Sequence, residues 1–388
     1  MSYVLSNANR WYCAIESSYG KVPSITADNR IPALKMSARQ QFEKSVRRDK
    51  TGGRTYAGTP PGGRRRTEFS LATYLTAWTN RQALPAYGPL FYAAMGATPM
   101  IAAGAAVASN SGTHLAYSAP HGLVPNQAVS AGNEIRFVAG VIDATNVTLS
   151  APFSTMLVVG ATTNPTVTFL LEDELPSCSI FDYWAPSTAL QRIISGAGVN
   201  EFSLAINGDF QEFRFAGVAQ DIVDSASFTN GMGQLPAFPG EPPLTEYQPS
   251  IVPGALGQIW MGVEPNQFYT VTGGQLRLDN DLEVRANEFG SSVPQSLAPG
   301  IRNVNFDFSL FEQDDQATME LYQAARQQST IPVMLQLGQS AGQLFGAYLP
   351  AVMPQIPELE DSHRLVQWKV SGSRAQGLGN DELVVAFA

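Results

Sequence analysis

Two stretches of the chain change hydrophobic period in the same way. In EFSLATYLTAW, residues 68–78, apolar positions first alternate as in a strand. They then fall at Leu71, Tyr74, Leu75 and Trp78, which is i, i+3, i+4 and i+7 on one helical face. In DFSLFEQDDQATMELYQAARQQ, residues 307–328, the same shift yields a stripe of Thr318, Leu321, Tyr322 and Ala325. Asp314 and Asp315 stand at its start, where the helix dipole favours anions, and Arg326 stands near its end. Each stretch therefore predicts a strand followed by a helix, with Glu68-Phe-Ser-Leu71 and Asp307-Phe-Ser-Leu310 in matching places.

The match extends outward. Short strands are predicted at 33–37 and 275–278, and each is followed by a long Gly/Pro-bearing connection, 44–66 in one case and 283–302 in the other. After each helix comes more β-structure. Phe202, Leu204 and Ile206 alternate with polar or small residues, Asn207-Gly208 signals a two-residue hairpin, and Phe213 and Phe215 return on the partner strand. Near the end, Val366, Trp368 and Val370 alternate with Leu365, Gln367 and Lys369. The reading is an internal duplication of strands, long loop, strand, helix, strands. A first domain spans 1–234, a Pro-rich semi-rigid linker 235–254, and a second domain 255–388. Short Val/Ile/Thr runs divided by Gly and Asn make 109–168 a small β-module inserted in the first domain. The fold class is mainly β with α (α+β).

Composition agrees with this and adds one anomaly. A chain of 388 residues exceeds one usual core, and its 34 Gly and 26 Pro suit many short strands and turns. Hydrophobic residues make up 44% and charged residues only 15%, which suits burial between subunits. The net charge is −9, yet 44–66 carries eight Lys or Arg residues (Lys44, Arg47, Arg48, Lys50, Arg54, Arg64, Arg65, Arg66) against one acid. Nucleic-acid binding is one reading of this run, but no RNP-type aromatics, paired metal ligands or recognition helix accompany it. A solvated loop is the second reading, and docking on an acidic surface of another copy is the third. Cys13 and Cys178 are too few for a disulfide framework and read as buried thiols. The N-terminal residues lack an apolar core of signal-peptide length, so the Asn146-Val-Thr sequon carries no meaning. The stretch between Arg81 and Glu134 is free of Asp, Glu, Lys and Arg, but Pro89, Pro99 and several Gly argue against a membrane span.

Catalytic patterns are sparse. Gly338-Gln-Ser340-Ala-Gly342 with Asp361 and His363 downstream follows the Ser, Asp, His order of α/β-hydrolases. Pro350, Pro354 and Pro357 break the region after the serine, leaving no room for the strand-turn-helix context that motif needs. His114 and His121 have no nearby acid or cysteine and read as a loop and a turn histidine. FEQDDQATME lacks the alternating oxygen ligands of a calcium loop and reads as a helix cap. The chain is expected to be no enzyme and to hold no cofactor or metal.

The element order resembles that of tail tube proteins (major tail proteins) of long-tailed double-stranded DNA bacteriophages. The phrases that carry the resemblance are CAIESSYGKVPS, SIFDYWAPSTALQRIISGAGVNEFSLAINGDFQEF, and LRLDNDLEVRANEFGSSVPQSLAPGIRNVNFDFSL with the helix and strands after it. It covers most of the chain apart from the insert. It implies two tail-tube-like β-sandwich or half-barrel domains, each with a flanking helix, whose inner sheets join between subunits into a barrel around a DNA channel. It also implies that 44–66 and 283–302 stack on the neighbouring ring, through Lys44, Arg47, Arg48, Lys50, Arg54, Arg64, Arg65, Arg66, Glu283, Arg285, Glu288 and Arg302. Family rings are hexameric, so a duplicated chain is expected as a trimeric ring with pseudo-sixfold symmetry, a hexamer being the alternative. The implied partners are the chain itself in stacked rings, tape measure, tail terminator and baseplate proteins, and passing double-stranded DNA bound without sequence specificity, with no membrane. An acidic lumen would keep DNA from sticking. The implied location is the virion tail, assembled in the bacterial host cytoplasm. The alternative is a baseplate or tail-tip β-protein that binds a host surface glycan or receptor.

Overall fold

Ala33–Phe42 (β1) and Arg65–Tyr74 (β2) form an antiparallel hairpin with Ser37 opposite Ser70. The computed structural model describes residues 3–388 except 44–49, 51, 57, 59–62, 79, 82, 207, 245, 246, 248 and 363. β2 buries Thr67, Phe69, Leu71 and Thr73 and turns Arg66, Glu68 and Ser70 outward, the period of two that an antiparallel sheet with one wet face requires. The helix expected at 71–78 is thus absent. Leu71 belongs to the strand, while Leu75 and Trp78 are buried in the irregular segment after it. Their helical spacing is coincidental.

The first helix is α1, Gly88–Met95, inside the stretch without charged residues. Leu90, Phe91, Ala93, Ala94 and Met95 are all buried, so the helix has no polar face and gives no amphipathic period to detect. It lies inside the core rather than flanking it, contrary to expectation. Pro89 in its first turn and Gly96 at φ 97° mark its ends. The second helix, α2 (Gln316–Gln327), matches its sequence signals: Asp315 caps it by accepting a hydrogen bond from the Thr318 amide at 2.7 Å. Its buried stripe is Thr318, Leu321, Ala324 and Ala325, with Tyr322 half-exposed over Trp368. No helix among the described residues is long and apolar enough to cross a membrane.

The remaining strands of the main sheet are Arg192–Ile206 (β3), Glu212–Ala219 (β4), Val271–Asp279 (β5), Asn303–Phe311 (β6), Glu358–Glu360 (β7) and Gln367–Val370 (β8). Every pairing is antiparallel, and the spatial order is β1–β2–β4–β3–β5–β6–β8–β7. The first four strands and the last four therefore repeat one order, and β3 pairs with β5 where the halves meet, Phe202 opposite Leu278. The β3–β4 connection is longer than the two-residue turn expected at Asn207-Gly208, because the ladder between the two strands closes at Leu204 opposite Phe213; Asn207 itself lies outside the described residues.

β3 is long because it serves two sheets. Its first part pairs with Cys178–Trp184 and Asp221–Asp224, and its last part with β4 and β5. Gly196 at φ +61° makes the bend, where a Cβ would lie 2.6 Å from Gln220 Cβ. Behind the main sheet a second curled sheet runs through Gly257–Met261, Ile331–Leu337, Phe345–Met353, Val384–Phe387, Thr166–Phe169 and Met100–Ala102, mixing strands from both halves. Phe91 on α1 sits at the centre of the core between them. Its ring centroid lies 5.0–6.2 Å from those of Phe202, Phe213, Phe215, Phe169, Phe345 and Phe387. Cys13 and Cys178 are both buried and free.

The insert is a five-stranded sheet over Val107–Leu149 strands, with its own core of Val107, Leu115, Val129, Val138, Val147 and Leu149. It is fixed to the second sheet by Arg136, which is fully buried. That guanidinium pairs with Glu134 at 2.6 Å, donates to the Gln336 and Gln258 side chains, and lies 5.3 Å from the Trp260 ring. Burial lowers its pKa to about 10, with Glu134 opposing the shift.

Candidate assembly surface

Strand directions place the two long connections together. β1 and β5 run the same way across the alternating sheet, so 43–64 and 280–302 leave the same end of it. They touch there. Arg64 Nη1 donates to Asn287 Oδ1 at 3.1 Å, Arg64 Nη2 to the Asn287 carbonyl at 3.3 Å, and the Arg65 amide to the Ser292 carbonyl at 3.0 Å. Gln220 Nε2 donates to the Pro294 carbonyl, and Glu283–Val284 pairs with Leu297–Ala298, which folds the second connection back on itself.

Of the twelve residues expected to stack rings, Lys44, Arg47 and Arg48 lie outside the described residues. Lys50 and Arg54 are exposed in the connection. Arg65 and Arg66 are not loop residues, because they open β2. Arg65 pairs with Asp221 at 2.5 Å, and Asp221 also accepts from Gln40, so Arg65 works inside the fold. Arg66 pairs with Glu68 at 3.0 Å on the sheet face. Glu283 is exposed, and Arg285 pairs with Glu288 at 2.5 Å. Arg302 is also structural: its mostly buried head pairs with Glu382 at 3.2 Å and donates to the Asn380 side chain and the Glu172 carbonyl. Asp221, Asn287 and Ser292 gave no sequence signal, since each meets its partner only through the fold.

The outward face of the main sheet is polar and several of its charges pair. Arg214 meets Glu212 at 3.3 Å, Arg277 meets Glu201 at 3.0 Å and Asp279 at 3.5 Å, and Lys369 meets Glu360. The face is concave around Ser37, Ser70 and Ser203, which line a hollow of about 420 Å³. At the sheet's two ends, β1 pairs only with β2 and β7 only with β8 among the described residues. Each thus presents a free strand edge. Lys35 and Arg39 are exposed on the polar side of β1, Glu358 on that of β7.

The end of the sheet opposite the long connections is acidic and apolar. Asp209 in the β3–β4 connection and Glu312 and Asp314 after β6 are exposed there. Ile206, Leu256, Ile259, Phe268, Val271 and Leu337 line a cavity of about 260 Å³ between β3, β5 and the second sheet.

Three further sequence features gain no chemistry from the fold. Ser340 lies in the turn between the antiparallel strands Ile331–Leu337 and Phe345–Met353, without the helix a nucleophile elbow needs, and His363 lies outside the described residues. His121 is a turn histidine that accepts from the Leu123 amide through Nδ1, while His114 is exposed on a strand rather than in a loop. No three His, Cys, Asp or Glu residues among those described converge as metal ligands. The segment 235–254 is tied to the first half by Glu241, which accepts from Arg10 Nη2 at 2.6 Å and the Tyr12 hydroxyl at 3.0 Å. Burial pushes the Glu241 pKa up, but Arg10 and Tyr12 outweigh it and hold the carboxyl below its ordinary value. No protein-family model matches this chain, and no curated protein is significantly similar to it.

Proposed function

We propose that this chain is a structural protein that polymerises head to tail into rings, and rings into a tube that conducts double-stranded DNA, as the major tail protein of a long-tailed bacteriophage does. The observation that supports this most is the sheet of two like-ordered halves with a free strand at each end. Its strands alternate in direction and are even in number, so β1 and β7 run oppositely. A second copy related by rotation about an axis along the strands brings its β7 antiparallel beside β1. The inter-strand ladder then continues across the interface by the geometry used inside the chain.

Exposed edges are otherwise an aggregation liability, and a ring removes them. The contact is heterologous, so it closes when the rotation closes. Three copies, each supplying two four-stranded halves, give a pseudo-sixfold ring. On this reading the concave polar face lines the channel, and its lining is mixed rather than acidic: paired Arg and Glu leave little net field to grip phosphates. Electron microscopy of the purified protein tests the proposal, with native mass measurement of its rings. Hollow tubes built from trimers are expected, and a monomer at every concentration and salt would overturn it.

A further inference from the structure

Phe289 is wholly exposed at the turn Phe289-Gly290 of the second long connection. A free phenyl ring in water forgoes the burial that dominates most protein contacts. The turn is nonetheless held in place. Arg285 pairs with Glu288 next to the ring, Asn287 is gripped by Arg64, and Glu283–Val284 is laddered to Leu297–Ala298. Few rotors remain to be frozen on docking, which is what an anchor side chain needs.

The cavity of Ile206, Leu256, Ile259, Phe268, Val271 and Leu337 lies at the other end of the strand that carries this turn. β5 begins beside the cavity at Val271 and ends at Asp279, whose connection presents Phe289. The nine residues of β5, roughly 30 Å at ~3.4 Å per residue, thus lie between the end that holds the cavity and the end that carries the turn. Tyr269 stands exposed at the cavity rim. The two ends differ in charge: Lys50 and Arg54 are exposed at the Phe289 end together with Glu43 and Glu283, whereas Asp209, Glu312 and Asp314 are exposed at the cavity end.

We infer that Phe289 of one copy inserts into this cavity of a second copy stacked along the strand direction. This rests on the tube reading above and names the anchor of its axial contact. Hydrophobic anchor and cavity lie on different ends of one molecule, so the contact repeats without limit and lengthens the tube. The cations around the turn orient the approach, and the ring holds the register.

The test uses the full chain. Phe289→Ser is expected to melt like the parent and still form rings, but to need about tenfold more protein before tubes appear. Pairing Phe289→Cys with Tyr269→Cys places one thiol at each end, while Cys13 and Cys178 stay buried. Oxidation of the assembled double variant with copper(II) phenanthroline is expected to give a covalent ladder of chains that neither single variant gives. If the parent forms tubes but the double variant's tubes yield no ladder and Phe289→Ser grows tubes at the parent concentration, the Phe289 contact is overturned and the tube stands. If the parent forms no tubes at all, both fall.

Discussion

Arg64 and Asn287, 223 residues apart in sequence, are joined by two hydrogen bonds at the end of the main sheet. The last residues of the first connection are consequently fastened to the second at Asn287 and Ser292. Arg65 beside them faces inward to Asp221. A cluster that looks uniform in sequence thus divides into exposed cations and a structural one. Lys50→Ser with Arg54→Ser should leave urea stability within about 0.5 kcal/mol, as exposed loop positions do, yet slow tube growth. Arg65→Ser should instead cost about 1–2 kcal/mol, because it strips a charged partner from the largely buried Asp221. Molar salt should imitate only the first change.

Lateral closure makes a separate forecast. Lys35 and Arg39 line the free edge of β1 and Glu358 lines that of β7. Opposite charges facing across strands contribute roughly 0.2–1 kcal/mol per pair. Lys35→Glu with Arg39→Glu should weaken ring formation severalfold in native mass measurements at low salt, and adding Glu358→Lys should recover part of it. Rings unaffected by the reversal would place the interface elsewhere.

Phe91 carries the core. Its ring meets seven others, Tyr87 and six phenylalanines drawn from both halves, and only Pro89 and Tyr92 of α1 are partly exposed. Phe91→Ala should cost about 3–5 kcal/mol in denaturant unfolding, as aromatic-to-alanine changes in cores do. Both halves should lose structure in one transition, since they share that cluster.

Glu16 predicts a pH dependence. It is 6% exposed and accepts from the Gly20 and Gly196 amides and the Ser177 and Ser179 hydroxyls at 2.5–2.8 Å. Burial nevertheless raises its pKa above the ordinary 4.5, outweighing the four donors. A raised carboxyl binds its proton more tightly in the folded state, so its contribution is full below the unfolded pKa and is lost as pH rises through the folded one. In urea titrations from acid to neutral pH, the parent should lose stability with rising pH relative to Glu16→Gln. The offset between the two reflects the amide's donors facing backbone donors; the slope is the readout.

Signals that live within a few residues were legible in the sequence, and those made by distant pairing were not. The α2 cap at Asp315, the alternation in β2 and in Phe202, Leu204, Phe213 and Phe215, and the two long connections were all readable, because capping and periodicity are local. α1 escaped because a helix whose only partly exposed residues are Pro89 and Tyr92 has no polar face to set a period, while Leu71, Leu75 and Trp78 imitated one across the end of a strand. The roles of Arg65 and Arg302 depend on Asp221 and Glu382, which lie 156 and 80 residues away. Nothing beside those arginines announces such partners.

Joining two halves in one chain has a consequence for inheritance. If the two halves arose by duplication, fusion would leave every strand direction as it would be between separate copies, because each half contributes an even number of strands. Identical single units around an axis must mutate together, whereas fused ones drift apart position by position. The cationic 43–64 and the folded-back 280–302 with its bare phenyl are already two different solutions at equivalent places in the pattern. In the proposed ring, alternating specialised contacts around one circumference would be open only to a chain that carries both.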